Sequence, residues 1–302
     1  MREHFQFPFP LDWTRKVSHP SKKNVSYAYA SRKIRPKGCT SPLLFSSSVL
    51  ETVSMKQDPI GTIEVVFEDE VLMVVSKPNR MLVHRSAMDY YEDRNLLREL
   101  SATRAERLHP AHRLDKATSG AILFAKSNEV LSYLREEFNA RRVEKQYLAV
   151  VRGFTPSDGV IDAPLLADGD TKEREALTRF TTLKHVEVNM SVSRYPSSRY
   201  SLVRAFPETG RYHQIRMHFD KIRHPIIGDS RHGDKKHNAM FRDQLNLEPL
   251  FLHAERLSFK HPNGSQLTVS APIPAHFTAI LNLWNWMDGA SHEAVQPGNH
   301  KK

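Results

Sequence analysis

The sequence contains only one cysteine, Cys39, among its 302 residues. A single thiol cannot build an internal disulfide framework or a cysteine-rich zinc module, so both classes of protein are excluded. No stretch approaches the roughly 18 consecutive apolar residues of a membrane helix, and the N-terminus has no apolar signal core. We therefore expect a protein of the reducing cytoplasm that has no membrane partner.

The sequence also lacks internal repeats and a glycine-rich phosphate-binding loop. Its sixteen histidines suggest a metal site. However, His213 and His218 lack the glutamate of the metalloprotease motif, and His109 and His112 lack companion carboxylates at helical spacing. We therefore expect that the protein binds no metal.

Positive charge exceeds negative charge, with a formal net charge of +10. Residues 1–60 hold ten Lys or Arg against four Asp or Glu, a surplus of six that leaves a surplus of four for the rest of the chain. The body is therefore only mildly basic. A polyanionic partner such as RNA and an ordinary solvated surface both fit this surplus, and the positions of the Arg and Lys residues decide between them.

Composition divides the chain into three parts. Residues 1–58 mix Pro, Ser, Lys and Arg without periodicity, which predicts a basic, disordered extension. Translation starting at Met55, a basic arm that touches RNA and a transit peptide are the alternatives for this part. Residues 59–287 have the patterns of a single globular domain, and residues 288–302 are expected to form a disordered tail.

Hydrophobic periodicity predicts the elements of the globular part. Ile63–Phe67 and Val71–Ser76 are expected to form a β-hairpin, and Ser127 is expected to cap a helix. Tyr200–Phe206 and Tyr212–Phe219, joined by a Pro-Glu-Thr-Gly turn, are expected to form a second hairpin. Further expected elements are a helix at Leu96–Ala105, strands at Tyr147–Val151, Leu250–Phe259 and Leu267–Ala271, a loop at residues 167–175, and a helix burying Phe277, Ile280, Leu281 and Trp284.

The most informative stretch is His112–Gly120, which is followed by the apolar run Ala121–Ala125. The run has the length and composition of a buried strand, so the polar stretch before it is expected to be held rigidly. Asp115 lies between Arg113 and Lys116, two cations that favour an ionised carboxylate able to act as a nucleophile or a base. The alternative is that Asp115 only caps the turn that follows it.

His112–Gly120 resembles the catalytic motif H-R-L-D-x-x-T-S-G of the RluA-type family of RNA pseudouridine synthases at every specified position. Other blocks resemble the family in the family's order, namely Val75–Pro78, Lys145–Tyr147, Thr209–His218 and His224–Asp229, so the resemblance covers about residues 60–287. It implies an α+β fold of mixed α/β composition, in which a bent, largely antiparallel sheet with flanking helices carries a central basic cleft.

The resemblance implies roles for three residues and no cofactor. Asp115 corresponds to the catalytic carboxylate, Tyr147 to the tyrosine that packs against the target base, and Arg216 to the basic partner of the aspartate. Without the resemblance, Tyr147 is an ordinary aromatic residue of a sheet and Arg216 is a strand residue on a half-exposed face.

Basic and aromatic side chains near these blocks are the expected RNA-binding residues. In Arg194–Tyr200, Arg alternates with Tyr, a pairing suited to phosphate contacts and base stacking. Arg113 is expected to fill the stack that a flipped uridine leaves. The full expected set is Arg113, Lys116, Lys145, Arg194, Tyr195, Arg199 and Arg211.

Three further strings indicate the substrate. Leu82–Ser86, Ser193–Tyr200 and Arg223–Asp234 resemble the family members that modify tRNA near the junction of the acceptor and T stems, at a uridine of the uridine-65 type. We therefore expect a monomeric tRNA pseudouridine synthase. A family member that acts on rRNA and a catalytically silent RNA-binding protein are the alternatives, and the absence of an S4-like RNA-binding module weakens the rRNA alternative.

Overall fold

The computed structural model describes residues 63–84, 94–166 and 171–290. Its strands are β1 (Glu64–Glu68), β2 (Leu72–Lys77), β3 (His109–Pro110), β4 (Ser119–Ala125), β5 (Glu144–Arg152), β6 (Asp158–Asp162), β7 (Leu177–Val188), β8 (Ser198–Pro207), β9 (Leu252–Lys260) and β10 (Gln266–Ser270). Its helices are α1 (Leu96–Ala102), α2 (Asn128–Asn139), α3 (Gln214–Lys221), α4 (Lys235–Leu245), α5 (Ala275–Leu283) and α6 (Met287–Ala290). The expected extension at residues 1–58 and residues 291–302 of the expected tail lie outside these ranges.

One sheet connects all the strands of the described residues. They pair in the order β1, β2, β4, β9, β5, β8, β7, β6, and β10 and β3 add to β9 and β4. Every pairing is antiparallel except that of β4 with β9. The predicted fold class, α+β with a largely antiparallel sheet, is confirmed.

β4 is buried on both faces, as its apolar sequence predicts. Ile122 and Phe124 belong to the larger core, whereas Leu123 packs in a second core with Leu131 and Leu134 of α2. Because side chains pack against both faces of β4, the strand holds the polar segment that precedes it in a fixed position.

Gly120 allows β4 to approach β9 closely. Its φ angle is +114°, a backbone conformation that residues with a Cβ rarely adopt. A Cβ at this position would lie 2.2 Å from the carbonyl oxygen of Ala254. The glycine that follows the polar segment is thus a packing requirement of the strand junction.

Local signals located several elements correctly. Asp69 closes the β1–β2 turn by accepting hydrogen bonds from the backbone N–H groups of Val71 and Leu72, both at 2.9 Å. Ser127 caps α2 by accepting from the N–H of Val130 at 3.3 Å. Phe277 and its apolar neighbours on α5 are buried as predicted.

The second predicted hairpin is wrong in its returning half. Residues 214–221 form α3 instead of a strand, so Arg216 lies on a helix. His213 adopts a left-handed conformation at φ 50°, which ends the loop, and Ile215 and Phe219 are then buried at helical spacing. The side chain of Gln214 holds the start of the helix by accepting from the N–H of Arg211 at 3.0 Å. In so short a segment, apolar residues four positions apart fit both the helical period and the strand period. The geometry of the preceding turn determines that the segment is a helix.

β6 and β7 were not predicted. β7 has twelve residues and a register shift between Thr182 and Lys184, which breaks its alternation of buried and exposed side chains. Of the predicted loop at 167–175, residues 167–170 lie outside the described ranges, and Arg174 pairs with Leu165 through an isolated bridge. Among the described residues, no helix has the length and hydrophobicity needed to span a membrane.

Acid is expected to destabilise this fold through its buried histidines. Burial lowers the pKa of His253 and of His276 from 6.5 to about 4. Between these values the unfolded chain binds protons that the folded chain does not, so the free energy of unfolding falls as pH decreases. Each ring contributes up to about 1.4 kcal/mol per pH unit.

Urea unfolding at pH 7, 6 and 5 measures this effect. The variant His276→Gln cannot take up the proton, so we expect a shallower decline of stability with acid for the variant than for the unchanged protein. If stability declined equally steeply with acid in the two proteins, the lowered pKa of His276 would be contradicted.

Candidate active site

The loop between β3 and β4 presents Asp115 to a cleft. The N–H of Thr118 donates to the backbone oxygen of Asp115 at 3.0 Å, so the backbone of Asp115 closes the turn. The carboxylate accepts a hydrogen bond from Arg216 instead, with 3.2 Å between Nη1 and Oδ2. The side chain of Asp115 is 19% exposed, which leaves it accessible from the cleft. The backbone of Asp115 thus forms the hydrogen bond that closes the turn, whereas its carboxylate pairs with Arg216.

Two side chains hold this loop. The Nζ of Lys77 donates to three backbone oxygens, those of Pro78 (2.8 Å), Met81 (2.7 Å) and Lys116 (3.1 Å). On the other side of Asp115, Nε2 of His112 accepts from the N–H of Leu123 on β4 at 3.1 Å. The loop is therefore tied both to β2 and to β4.

The electrostatics of these two anchors follow from burial. Burial lowers the pKa of Lys77 to about 7, while the charge of Asp115 acts in the opposite direction. Burial also lowers the pKa of His112 to about 4, which fits a neutral ring whose Nε2 accepts a hydrogen bond. Lys77 was not predicted as a site residue, although the Lys77-Pro78 pair was a signal for it.

Arg216 approaches Asp115 from α3, where its side chain is only 6% exposed. Its Nε and Nη2 donate to Oδ2 and Oδ1 of Asp229, each at 2.7 Å, so a two-point ion pair orients the guanidinium. Burial alone would lower the pKa of Arg216, but the hydrogen bonds and charges of Asp229 and Asp115 outweigh it and raise this pKa. The arginine is therefore a permanent cation beside Asp115.

His213 forms a further part of the site that was not predicted. Its Nε2 lies 3.7 Å from Oδ2 of Asp115, and its Nδ1 lies 3.0 Å from Nε2 of His232. Its ring stacks on Tyr212 with 3.7 Å between the centroids. Burial lowers the pKa of His213 to about 4, so the imidazole next to Asp115 is neutral at physiological pH.

Asp115, Tyr147 and Arg216 line one cleft of about 470 Å³, within the range of small-ligand sites. Tyr147 lies on β5 and is 9% exposed. Burial and the charge of Asp115 both raise its pKa, so the phenol stays protonated. The structure thus brings together three side chains that are separated by up to 101 positions in the sequence.

Three of the predicted RNA-binding residues line the same cleft, namely Arg113, Lys145 and Arg211. The guanidinium of Arg113 lies 5.7 Å from the centroid of the Tyr212 ring. Lys145 donates to the backbone oxygen of Thr209 at 3.3 Å, and burial lowers its pKa to about 8. Lys116 is exposed on the loop of Asp115 but does not line the cleft.

No residue of the Arg194–Tyr200 segment is among those that line the cleft. Arg194 and Tyr195 are exposed and contact each other, with 3.0 Å between Nη2 and the phenol oxygen. Arg199 pairs with Glu187 at 3.2 Å. Tyr200 was read as part of the same pattern, and this interpretation is wrong, because the side chain is fully buried and packs in the core against aromatic residues.

The described side chains include no group of three or more His, Cys, Asp or Glu residues arranged to hold a metal ion. His109 is not among the residues that line the cleft, whereas His112 and His213 are. Their ring nitrogens face a backbone N–H, another imidazole and a carboxylate.

The pattern of the family described as RNA pseudouridylate synthase matches residues 71–221. The chain is 39% identical over 236 residues to tRNA pseudouridine synthase C of Pasteurella multocida (strain Pm70), covering 74% of this chain and 97% of the relative. It is 38% identical over 235 residues to tRNA pseudouridine synthase C of Haemophilus influenzae (strain ATCC 51907 / DSM 11121 / KW20 / Rd), covering 74% and 98%.

Solved structures agree with this assignment. The structure of Human RNA Pseudouridylate Synthase Domain Containing 4 superposes with a TM-score of 0.56 at 26% identity, covering 74% of this chain and 93% of that one. The structure of Human RNA Pseudouridylate Synthase Domain Containing 1 gives a TM-score of 0.58 at 24% identity, covering 73% and 87%, and supports the fold. The family predicted from the resemblance of His112–Gly120 is confirmed. The chain belongs to the RNA pseudouridylate synthase family.

Proposed function

We propose that this protein isomerises a uridine of tRNA to pseudouridine, with Asp115 as the catalytic carboxylate. The observation that carries the proposal is the ion pair of Asp115 with Arg216 inside a cleft that Tyr147 also lines. The likeness to tRNA pseudouridine synthase C over most of the chain supports the choice of tRNA.

The reaction requires little from the protein besides acid–base chemistry and containment. The bond between N1 and C1′ breaks, the uracil turns, and a new bond forms between C5 and C1′. The hydrogen on C5 leaves as a proton and N1 gains one, so the reaction needs no redox change and no cofactor. Asp115 either attacks the ribose or removes a proton from it, and Arg216 holds the carboxylate through an ion pair and a hydrogen bond.

We propose that Tyr147 retains the freed base. Its ring lines the cleft with Asp115, and stacking of a base on an aromatic ring contributes about 1 to 3 kcal/mol. Once the bond between N1 and C1′ has broken, the base must stay in the pocket until it has turned. The stacking contact with Tyr147 therefore matters most while the base is detached from the ribose.

Basic side chains at the cleft are suited to the RNA backbone. Arg113, Lys145 and Arg211 surround the site, and Lys116 is exposed on the loop of Asp115. The target uridine must leave its stack to reach Asp115, at a cost of a few kcal/mol, and we propose that Arg113 fills the vacancy. Arg194, Tyr195 and Arg199 lie outside the cleft, so we propose them as contacts to more distant phosphates.

The substrate is proposed to be tRNA at a uridine near the junction of the acceptor and T stems. A small basic cleft can recognise a compact helical RNA through its shape and phosphates, but offers little with which to select a site inside a ribosomal subunit. We propose that the enzyme acts as a monomer in the cytoplasm, where its substrate is found.

The experiment offers purified protein both bulk tRNA and deproteinised large-subunit rRNA and maps pseudouridine in each. We expect one modified uridine in a subset of tRNAs, without help from other proteins. Modification confined to rRNA would overturn the choice of substrate but keep the catalytic assignment. Tight binding of both RNAs without any pseudouridine would favour a silent RNA-binding protein.

A further inference from the structure

Tyr212 is a second tyrosine that lines the cleft. It follows Arg211 in the loop before α3, and its side chain is only partly buried. Tyr147, the tyrosine proposed to retain the target base, is 9% exposed. The cleft therefore presents two tyrosine rings, a buried one for the reacting base and a more accessible one that the reaction itself does not use.

The ring of Tyr212 is held on one face. It stacks on His213 with 3.7 Å between the ring centroids and 19° between the ring planes. His213 is buried, its Nδ1 lies 3.0 Å from Nε2 of His232, and its Nε2 lies 3.7 Å from Oδ2 of Asp115. Tyr212 thus lies one stacked layer away from the catalytic carboxylate, at a spacing close to the ~3.4 Å between stacked bases.

The other contacts of Tyr212 involve two arginines. Its phenol oxygen accepts from Nη1 of Arg231 at 3.3 Å, so the hydroxyl already has a partner within the protein. The guanidinium carbon of Arg113 lies 5.7 Å from the ring centroid, at the distance of a cation–π contact. What the side chain offers to a ligand is therefore its ring, which attracts a planar cation in the RNA-free protein.

The surroundings of this ring suit an unpaired nucleotide. If Arg113 enters the RNA stack, as proposed above, its guanidinium leaves Tyr212 and uncovers the ring beside the bound RNA. The exposed side chains of Arg211 and Arg231 remain next to the ring. Cations beside an aromatic ring are typical of sites for single-stranded nucleic acid, because every base has a π face and every nucleotide a phosphate.

We propose that Tyr212 is a stacking site for a second nucleobase, a neighbour of the target uridine that has come out of the helical stack. The inference rests on the proposed function, because it deepens the RNA recognition of the same cleft. Tyr147 holds the base that turns, whereas Tyr212 holds a base that does not react. The site selects RNAs in which the target uridine lies beside an unpaired or easily extruded nucleotide.

Replacing Tyr212 with Ala tests the site through binding. We expect Kd for bulk tRNA to rise about tenfold, within the range for loss of one stacked base, with kcat at saturating RNA within threefold. Tyr212→Phe keeps the ring and loses only the hydroxyl, so its Kd should stay within twofold. If Tyr212→Ala does not fold, Tyr212→Leu, which fills much of the same space without an aromatic face, takes its place.

Tyr133→Ala is the matched control. Tyr133 is also a partly buried tyrosine, and its hydroxyl donates to the backbone oxygen of Lys260 at 3.2 Å. It lies on α2 and does not line the cleft. Its substitution should leave Kd for tRNA within twofold.

Fluorescence reports the stacking itself. 2-Aminopurine, which is dim when stacked and bright when unstacked, is placed in tRNA at the nucleotide on each side of the mapped uridine in turn. We expect one of the two positions to become brighter on binding to Tyr212→Ala than on binding to the unchanged protein or to Tyr212→Phe. A ring that only supports His213 would give no such difference.

Four results would overturn the inference. These are an unchanged Kd for Tyr212→Ala, an equal loss of affinity for Tyr212→Phe, a lower kcat with unchanged Kd, and equal fluorescence of both positions in all three proteins. Binding does not require turnover. An unchanged protein that forms no pseudouridine in any RNA would overturn the proposed function, and the affinities of the Tyr212 variants for tRNA would still test the stacking site.

Discussion

Replacing Asp115 with Asn is expected to abolish the conversion of uridine to pseudouridine while RNA binding stays within a few-fold. The amide cannot attack the ribose or remove a proton, but it occupies the same volume in the loop between β3 and β4. One carboxylate contributes little to affinity for a polyanion, which depends on contacts with phosphates. Pseudouridine mapping gives the activity, and a filter-binding titration at fixed salt concentration gives Kd.

Asp243→Asn is the control for this variant. Asp243 pairs with its neighbour Arg242 on the exposed side of α4. Its substitution should change neither activity nor binding. Normal product formation by Asp115→Asn would contradict the catalytic assignment, and a large loss of binding with normal turnover of bound RNA would make Asp115 a binding residue.

Replacing Arg216 with Ala is expected to be nearly as damaging, with a loss of kcat of at least about 100-fold, as for removal of one preorganised electrostatic group. Asp115 loses its cationic partner and becomes free to reorient. The buried carboxylate of Asp229 also loses its counterion, which costs about 3 to 5 kcal/mol of stability. Activity must therefore be expressed per folded molecule, with the folded fraction taken from a urea titration of the same preparation.

Arg204→Ala separates the two effects of the Arg216 substitution. Arg204 is another poorly exposed arginine in an ion pair, at 3.1 Å from Glu255, but it does not line the cleft. We expect Arg204→Ala to lose stability and to keep its activity per folded molecule. Near-normal activity of folded Arg216→Ala would show that the pairing with Asp115 is not used in catalysis.

The sequence predicted the centre of the site well because its information is local. His112–Gly120 followed by an apolar run predicted a polar loop held by a buried strand, and β4 is buried along its whole length. The helix cap at Ser127 and the turn at Asp69 are also local, since each side chain bonds to a backbone group two or three positions away. Hydrogen bonds between residues so close in the sequence can be predicted from composition and spacing.

The predictions that were wrong concern features that depend on contacts between residues distant in the sequence. Arg216 was expected on a strand, because Ile215 and Phe219 do not distinguish a helix from a strand over so short a segment. The left-handed conformation of His213 that begins α3 is stabilised by its contacts with His232 and Tyr212, and periodicity cannot show them.

The partners of Lys77 and Asp229 could not be predicted from the sequence either. Lys77 bonds to the backbone of Lys116, 39 positions away, and Asp229 reaches Arg216 across a helix end and a turn. Both lie in blocks that resemble the family, but only the fold gives them a partner. Tyr200 shows the reverse error, since an alternation of Arg and Tyr suggested an RNA surface where one of the tyrosines lies in the core.

The most direct test of the central claim follows the hydrogen on C5 of uridine. Isomerisation replaces the C5–H bond with a C5–C1′ bond, so tRNA labelled with tritium at C5 must release tritium to water. We expect the purified protein to release it in the same amount as the pseudouridine formed, in EDTA and without added cofactor. Stable binding of the labelled tRNA with no release of tritium would contradict the account.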